Sequence, residues 1–180
     1  MTATKAFTVE DVERFAADGR DFELLQGELI EVSPTSRRHG RSAGNILVPL
    51  STYVKKEKAG EAFVEVGFIL QRNPDVLLGP DVSFVRADCL TEQDEDGFLP
   101  LAPDLAVEVI SPSERRGTIA RKVRAYLDAG VPLLWLVYPL RRNVVVHEAG
   151  QPPRTLSEDD TLDGGAVLPG FTLPVREIFT

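Results

Sequence analysis

Cysteine is almost absent from this chain: among 180 residues there is one, Cys89, so no internal disulfide and no cysteine-based zinc site can form. Histidine is nearly as scarce. His39 and His147 have no second histidine at metalloprotease spacing, which removes the usual histidine route to zinc. Long apolar runs are missing too: Val131–Tyr138 falls far short of the roughly 18 residues of a membrane span. Glycine shows no period, and there is no internal repeat or low-complexity tract. No Gly-x-x-x-x-Gly-Lys phosphate loop and no Gly-x-Ser-x-Gly elbow occurs. Nor is there a basic excess. Twenty Lys and Arg against 28 Asp and Glu leave a formal charge of −8, which argues against broad adhesion to nucleic acid. The first ten residues lack the apolar stretch of a secretory leader. With 43% hydrophobic residues, a soluble, cytoplasmic protein with one domain over 1–180 is expected.

What is present is unevenly distributed. Residues 61–110 carry 2 basic and 11 acidic side chains, and residues 111–147 carry 7 and 2. An acid-rich middle followed by a basic segment suits a carboxylate metal site flanked by cations, although local imbalance is also ordinary surface charge. The pattern predicts three parts. Residues 1–60 read as a helix, a hairpin and a helix. Thr8-Val9-Glu10-Asp11 is a capping box, Phe22–Val32 folds back around Gln26-Gly27, Ser33-Pro34 breaks the chain, and His39–Lys58 has helical spacing with Pro49 as an expected kink or break. Residues 61–147 read as a sheet with one helix. Strands are expected at Ala62–Leu70, Asp81–Val85, Leu105–Ile110, Leu133–Tyr138 and Asn143–His147, an acidic loop at 91–97, and a helix opening at Ser113-Glu114 and stopping at Gly130. Residues 148–180 read as a loop-rich tail with a short strand near 166–168 and a terminal turn. The sum is an α/β protein with a mixed central sheet flanked by helices.

One position is costly for a fold of this kind. Glu108 interrupts the apolar run Leu105–Ile110, and an ionised carboxylate in a central strand needs a cation or hydrogen-bond partners unless it faces water. Asp81 heads its own strand behind the rigid Gly79-Pro80 turn. If the two strands are neighbours, Asp81 and Glu108 converge on one divalent ion, and hard oxygen ligands suit Mg2+ or Mn2+. Lys122, on the helix that follows, would bring an ammonium to the same place. Two carboxylates, a metal and a lysine are what phosphodiester hydrolysis requires.

These residues lie in a longer ordered pattern. Gly79-Pro80-Asp81-Val82-Ser83-Phe84-Val85, Ala102-Pro103-Asp104 through Ser111-Pro112-Ser113, Lys122-Val123-Arg124-Ala125-Tyr126, Ala129-Gly130-Val131 and Trp135–Pro139, with Phe22–Leu29 and His39 before them, resemble the Uma2 family of the PD-(D/E)XK, restriction-endonuclease-like superfamily. The resemblance implies a metal-dependent nuclease core. In it Asp81 matches the first acidic motif and Glu108 the second. The superfamily's lysine two residues further on is replaced here by Ile110, and Lys122 matches the family's substitute on the next helix. Thr118 stands where members often carry an acid. Glu23 and Glu28 are both candidates for an additional N-terminal acid, with Glu28 preferred.

His39 begins a helix beside Arg37, Arg38 and Arg41, as a general base, a phosphate contact or simply a solvated cap. His147 reads as structural, and Ser111 and Ser113 as capping residues. Two functions follow. One is an endonuclease acting on DNA with Mg2+ or Mn2+, Asp81 and Glu108 holding the metal and Lys122, Glu28 and His39 assisting, with no membrane partner and a homodimer as a way to pool arginines. The other is a catalytically weak nuclease fold serving as a binding or assembly module, favoured by Thr118 and the net charge.

Overall fold

A computed structural model describes residues 6–32, 34–90 and 97–180. Ser33 and most of the expected acidic loop at 91–97 lie outside the described residues. Helix α1 (Val9–Ala17) starts at the predicted capping box: Thr8 accepts from the Asp11 N–H, and the Asp11 carboxylate accepts from the Thr8 N–H at 3.0 Å. Strands β1 (Phe22–Leu25) and β2 (Glu28–Glu31) form the predicted hairpin, and α2 runs over Arg37–Glu57. Pro49 does not break α2. A proline removes one intrahelical hydrogen bond, and Ile46, Leu50 and Val54, all buried on one face, hold the helix across it.

The expected strand at 62–70 is instead two strands in different sheets, β3 (Gly60–Phe63) and β4 (Phe68–Gln71). Between them Glu65 takes a positive φ of 54°. Gly67 lies so close to Phe98 that a Cβ there would fall 2.5 Å from its ring, so a residue without a side chain fits where the chain passes from one sheet to the other. Then come β5 (Val76–Leu78), which the sequence pattern does not announce, β6 (Val82–Arg86), a 3-10 turn at Ala87–Cys89 and β7 (Leu105–Val109). Helix α3 covers Arg116–Asp128, later than the predicted start at Ser113, and no side chain caps it. Strands β8 (Leu133–Tyr138) and β9 (Asn143–Glu148), both expected, pair antiparallel as a hairpin.

The tail is more ordered than its Pro and Gly content suggests. It forms β10 (Arg154–Leu156), β11 (Thr161–Gly164), β12 (Leu168–Pro174) and α4 (Val175–Ile178). Its buried Leu162, Phe171, Leu173 and Ile178 join the core beside Trp135.

The main sheet has the order β10-β9-β8-β7-β6-β3, mixed because β7 and β8 are parallel and the other pairs antiparallel. A second sheet has the order β2-β1-β5-β4. Side chains alternate across a strand, so β7 divides its residues between two cores. Leu105, Val107 and Val109 pack toward α2 and the C-terminal elements. Ala106 and Ile110 pack toward α3 and the small sheet, against Tyr126, Leu25 and Leu78. Glu108 lies between Ala106 and Ile110, on the α3 side. All five residues of β7 are buried, which is why the strand reads as a near-continuous apolar run. No helix among the described residues is long and apolar enough to cross a membrane.

Candidate active site

Asp81 and Glu108 come together through strand register. Strands β6 and β7 pair antiparallel with Val82 opposite Val107 and Ser83 opposite Ala106; one step further along sets Asp81 opposite Glu108. Pro80 has no N–H to continue the ladder. There the Asp81 side chain takes over from the backbone: its Oδ2 accepts the Val109 N–H at 2.6 Å, and its Oδ1 accepts from His39 Nε2 at 2.6 Å.

Glu108 is held from α3. Tyr126 donates its hydroxyl to Glu108 Oε1 at 2.6 Å, and Lys122 Nζ donates to Glu108 Oε2 at 3.2 Å. Positions 122 and 126 are one helical turn apart and share a face. The same ammonium reaches Glu23 Oε2 at 2.8 Å, and Glu23 Oε1 accepts the Gly79 N–H at 3.1 Å, tying β1 to the turn that presents Asp81. Glu23, Asp81, Glu108, Lys122 and His39 all line one cleft of about 920 Å³ between the two sheets.

Burial dominates the electrostatics. It pushes the Glu108 carboxyl above the ordinary carboxylate range; Lys122 opposes this, while Glu23 and Asp81 reinforce it. Burial alone would lower the Lys122 pKa, but the charges of Glu108 and Glu23 outweigh it and raise the pKa, so the side chain is an ammonium. For His39 burial also acts downward, and the hydrogen bond and charge of Asp81, with Glu108 and Glu114, carry it upward. Glu114 is half-buried in the same cleft and raised, first by burial.

Glu28, the preferred N-terminal acid, is not at the cluster. The hairpin register pairs Glu23 with Ile30 and Leu25 with Glu28. Glu28 therefore shares the Glu23 face but sits at the opposite end of the strands, where its side chain is 63% exposed and paired with Arg121 at 2.8 Å. Face is a matter of parity; position along the strand is not. Sequence reasoning also missed Tyr126, although its i,i+4 spacing to Lys122 was a usable signal, and Glu114, which it placed inside the helix. Thr118 lines the cleft, His147 lies on β9, and Ser111 and Ser113 bond each other rather than cap α3. Accordingly, Glu28→Ala should change stability by no more than about 0.5–1 kcal/mol in urea unfolding and leave any nuclease activity intact, whereas Glu23→Gln should depress that activity. The reverse order would restore Glu28 to the site.

Comparison with known proteins agrees with this architecture. A family model, Uma2, described as "Putative restriction endonuclease", matches residues 9–176. No curated protein matches the chain. Among solved structures, the fold is similar to that of a "putative nuclease belonging to DUF820" from Anabaena variabilis ATCC 29413, with a TM-score of 0.78 and 20% identity over 88% of this chain and 89% of that one. The ordered motifs, the mixed sheet with its buried carboxylate and a family match over nearly the whole length have one consequence: this chain belongs to the Uma2 family.

Proposed function

We propose that the chain is a divalent-metal-dependent endonuclease that hydrolyses DNA phosphodiester bonds. The observation that supports this best is the meeting of Asp81, Glu108 and Lys122, which come from two strands and a helix, in one cleft. Family membership supports the same class of chemistry.

The residues fit a small hard cation. Among the described residues no group of three acidic, histidine or cysteine side chains is gathered as a full ligand set. Magnesium, however, is commonly bound by one or two carboxylates and keeps several waters. Each bonded oxygen of Asp81 and Glu108 retains a second lone-pair site. Seven acidic residues line this cleft, Glu23, Asp81, Glu108 and Glu114 among them, with Lys122 as its one ammonium among the described residues, an excess of acidic groups that a cation would relieve. Asp81 and Glu108 would hold the ion, which would make water easier to deprotonate for attack and polarise the phosphoryl group.

The protein's own groups have separate tasks. Lys122 is charged and has no lone pair, so it cannot take a proton from water; it stabilises charge that develops on the phosphoryl oxygens. Tyr126 fixes the Glu108 carboxylate, and Glu23 holds Lys122 and the Gly79 turn. His39 orients Asp81 from α2.

A second reading has its own observation. Lys122 already neutralises part of the charge of both Glu23 and Glu108, so the cluster is stable without a metal, as a binding module of the same fold would need. Incubation of wild-type protein with supercoiled plasmid separates the two. Nicked circles are expected with Mg2+ or Mn2+ and none with a chelator, together with a saturable heat on titrating Mn2+ into the protein. Neither nicking nor metal heat under any divalent condition would remove the enzyme reading and leave the binding module.

A further inference from the structure

Beside the carboxylate cleft lies a second cavity of about 500 Å³, lined by Arg37, Arg38 and Arg41 with Ser36, His39 and Ser111. Ser36, His39 and Ser111 line the carboxylate cleft as well, so the two spaces adjoin and the His39 ring stands between them. Among the described residues no acidic side chain lines the second cavity, although the chain has 28 acids to 20 bases. Of the twelve other arginines, eight form an ion pair. Arg37, Arg38 and Arg41 form none among the described residues, although they lie within five positions of one another. Like charges this close repel, and the three exposed side chains have no carboxylate partner among the described residues.

A second observation concerns the residue that lines both spaces. His39 Nε2 is committed to Asp81, while His39 Nδ1 is buried and has no hydrogen-bond partner. Buried polar atoms without partners are uncommon in folded proteins. Guanidinium groups match phosphate oxygens with paired N–H donors. Leu140 at the same cavity is 60% exposed, an apolar surface against which a sugar ring can lie.

We infer that the arginine-lined cavity holds the backbone phosphate adjacent to the one at Asp81 and Glu108, so that the substrate is a DNA strand with at least two consecutive phosphates rather than an isolated phosphodiester. The inference rests on the phosphodiester reading of the carboxylate cleft. It also accounts for how a chain of net charge −8 can engage a polyanion: the cationic groups are local, unpaired and next to the chemistry.

The test is binding, measured without turnover. A fluorescein-labelled single-stranded DNA 12-mer is titrated in chelator with the full chain carrying Glu108→Gln, alone and combined with Arg37→Gln/Arg38→Gln. A charge-matched control carries Lys55→Gln/Lys56→Gln at the far end of α2, roughly 27 Å away at 1.5 Å per residue and well beyond the ~10 Å Debye length at 0.1 M salt. All four substituted positions are exposed, and thermal melts verify that the variants are folded. The arginine pair is expected to weaken binding on the order of tenfold and to flatten the slope of log K against log salt by about 0.7, for the one phosphate the cavity holds. The lysine pair should change binding less than twofold. Equal effects of the two pairs, no loss in the arginine variant, or no binding by the Glu108→Gln protein would each overturn the inference. Metal-dependent nicking by wild type together with arginine-independent binding would sink this inference and spare the proposed function. Arginine-dependent binding without nicking would do the opposite.

Discussion

Replacing Lys122 with methionine is expected to destabilise the fold by about 3–5 kcal/mol, the cost of leaving buried charge without its partner. At roughly 2–4 °C per kcal/mol for a chain of this size, the melting temperature should fall on the order of 10 °C. Side-chain exposures of 12% for Lys122, 9% for Glu23 and 7% for Glu108 place the three in a region where solvent screening is weak. Methionine keeps most of the aliphatic volume, so the loss is electrostatic rather than a cavity. Adding Glu108→Gln to Lys122→Met should recover part of the stability, because it removes one of the stranded carboxylates. The deficit also has a pH sign. The native Glu108 carboxyl is raised above its ordinary 4.5, so the native state holds a proton that the unfolded chain has released. Stability then falls as pH rises from 4.5 toward the raised native value, and loss of Lys122, which holds that value down, extends the fall to higher pH. Differential scanning calorimetry in chelator from pH 5 to 8 checks both statements. A Lys122→Met protein that melts within 2 °C of wild type would show that the lysine is solvated and not part of a buried cluster.

Asp81→Asn is expected to abolish metal-dependent nicking, a loss on the order of 10²–10³-fold, with the saturable Mn2+ heat lost as well. The substitution preserves shape but not chemistry. Both oxygens of Asp81 accept hydrogen bonds, from His39 and from the Val109 N–H, whereas an asparagine amide accepts with one end and donates with the other. The asparagine carbonyl can still accept the Val109 N–H and its amide can donate to a neutral His39 Nε2, so what is lost is the charge-assisted bond to His39, at a cost of about 1–3 kcal/mol. The large core on the α2 side, with Ile46, Phe84 and Trp135, is untouched, so the variant should fold. Gel quantification of nicked plasmid, alongside circular dichroism, separates a dead site from a dead fold. Nicking at the wild-type rate by a folded Asp81→Asn protein would remove Asp81 from the reaction.

The parts of the site that were legible in the sequence share a property: each is local. Glu108 declares itself because a charge in Leu105–Ile110 violates the pattern of a strand buried on both faces. Asp81 is marked by the Gly79-Pro80 turn that interrupts the ladder and leaves the side chain to complete it. Lys122 is marked by the family pattern on the following helix, and Tyr126, missed as a site residue, lies on the same face at i,i+4 and is completely buried. The capping box at Thr8 and the turn at Gln26-Gly27 needed no tertiary information. Where the pattern failed, longer-range forces had acted. Residues 62–70 carry a strand signal throughout, but Gly67 has no room beside Phe98 and the chain changes sheet. The tail reads as loop from its Pro and Gly content, yet Phe171 and Leu173 bury themselves near Trp135.

Residue order by itself determined the mixed α/β framework, the family and the identity of Asp81, Glu108 and Lys122 as candidate groups, because period, turn chemistry and ordered motifs are properties of neighbouring residues. Only the tertiary structure decided that Glu23 and not Glu28 meets the lysine. It also decided that His39 buttresses Asp81 beside an arginine-lined cavity, and that Lys122 is held charged. Parity along a hairpin says which face a glutamate shares, but its level is set by how two sheets and α3 pack together. The charge of a buried group depends on water being excluded by elements distant in the chain.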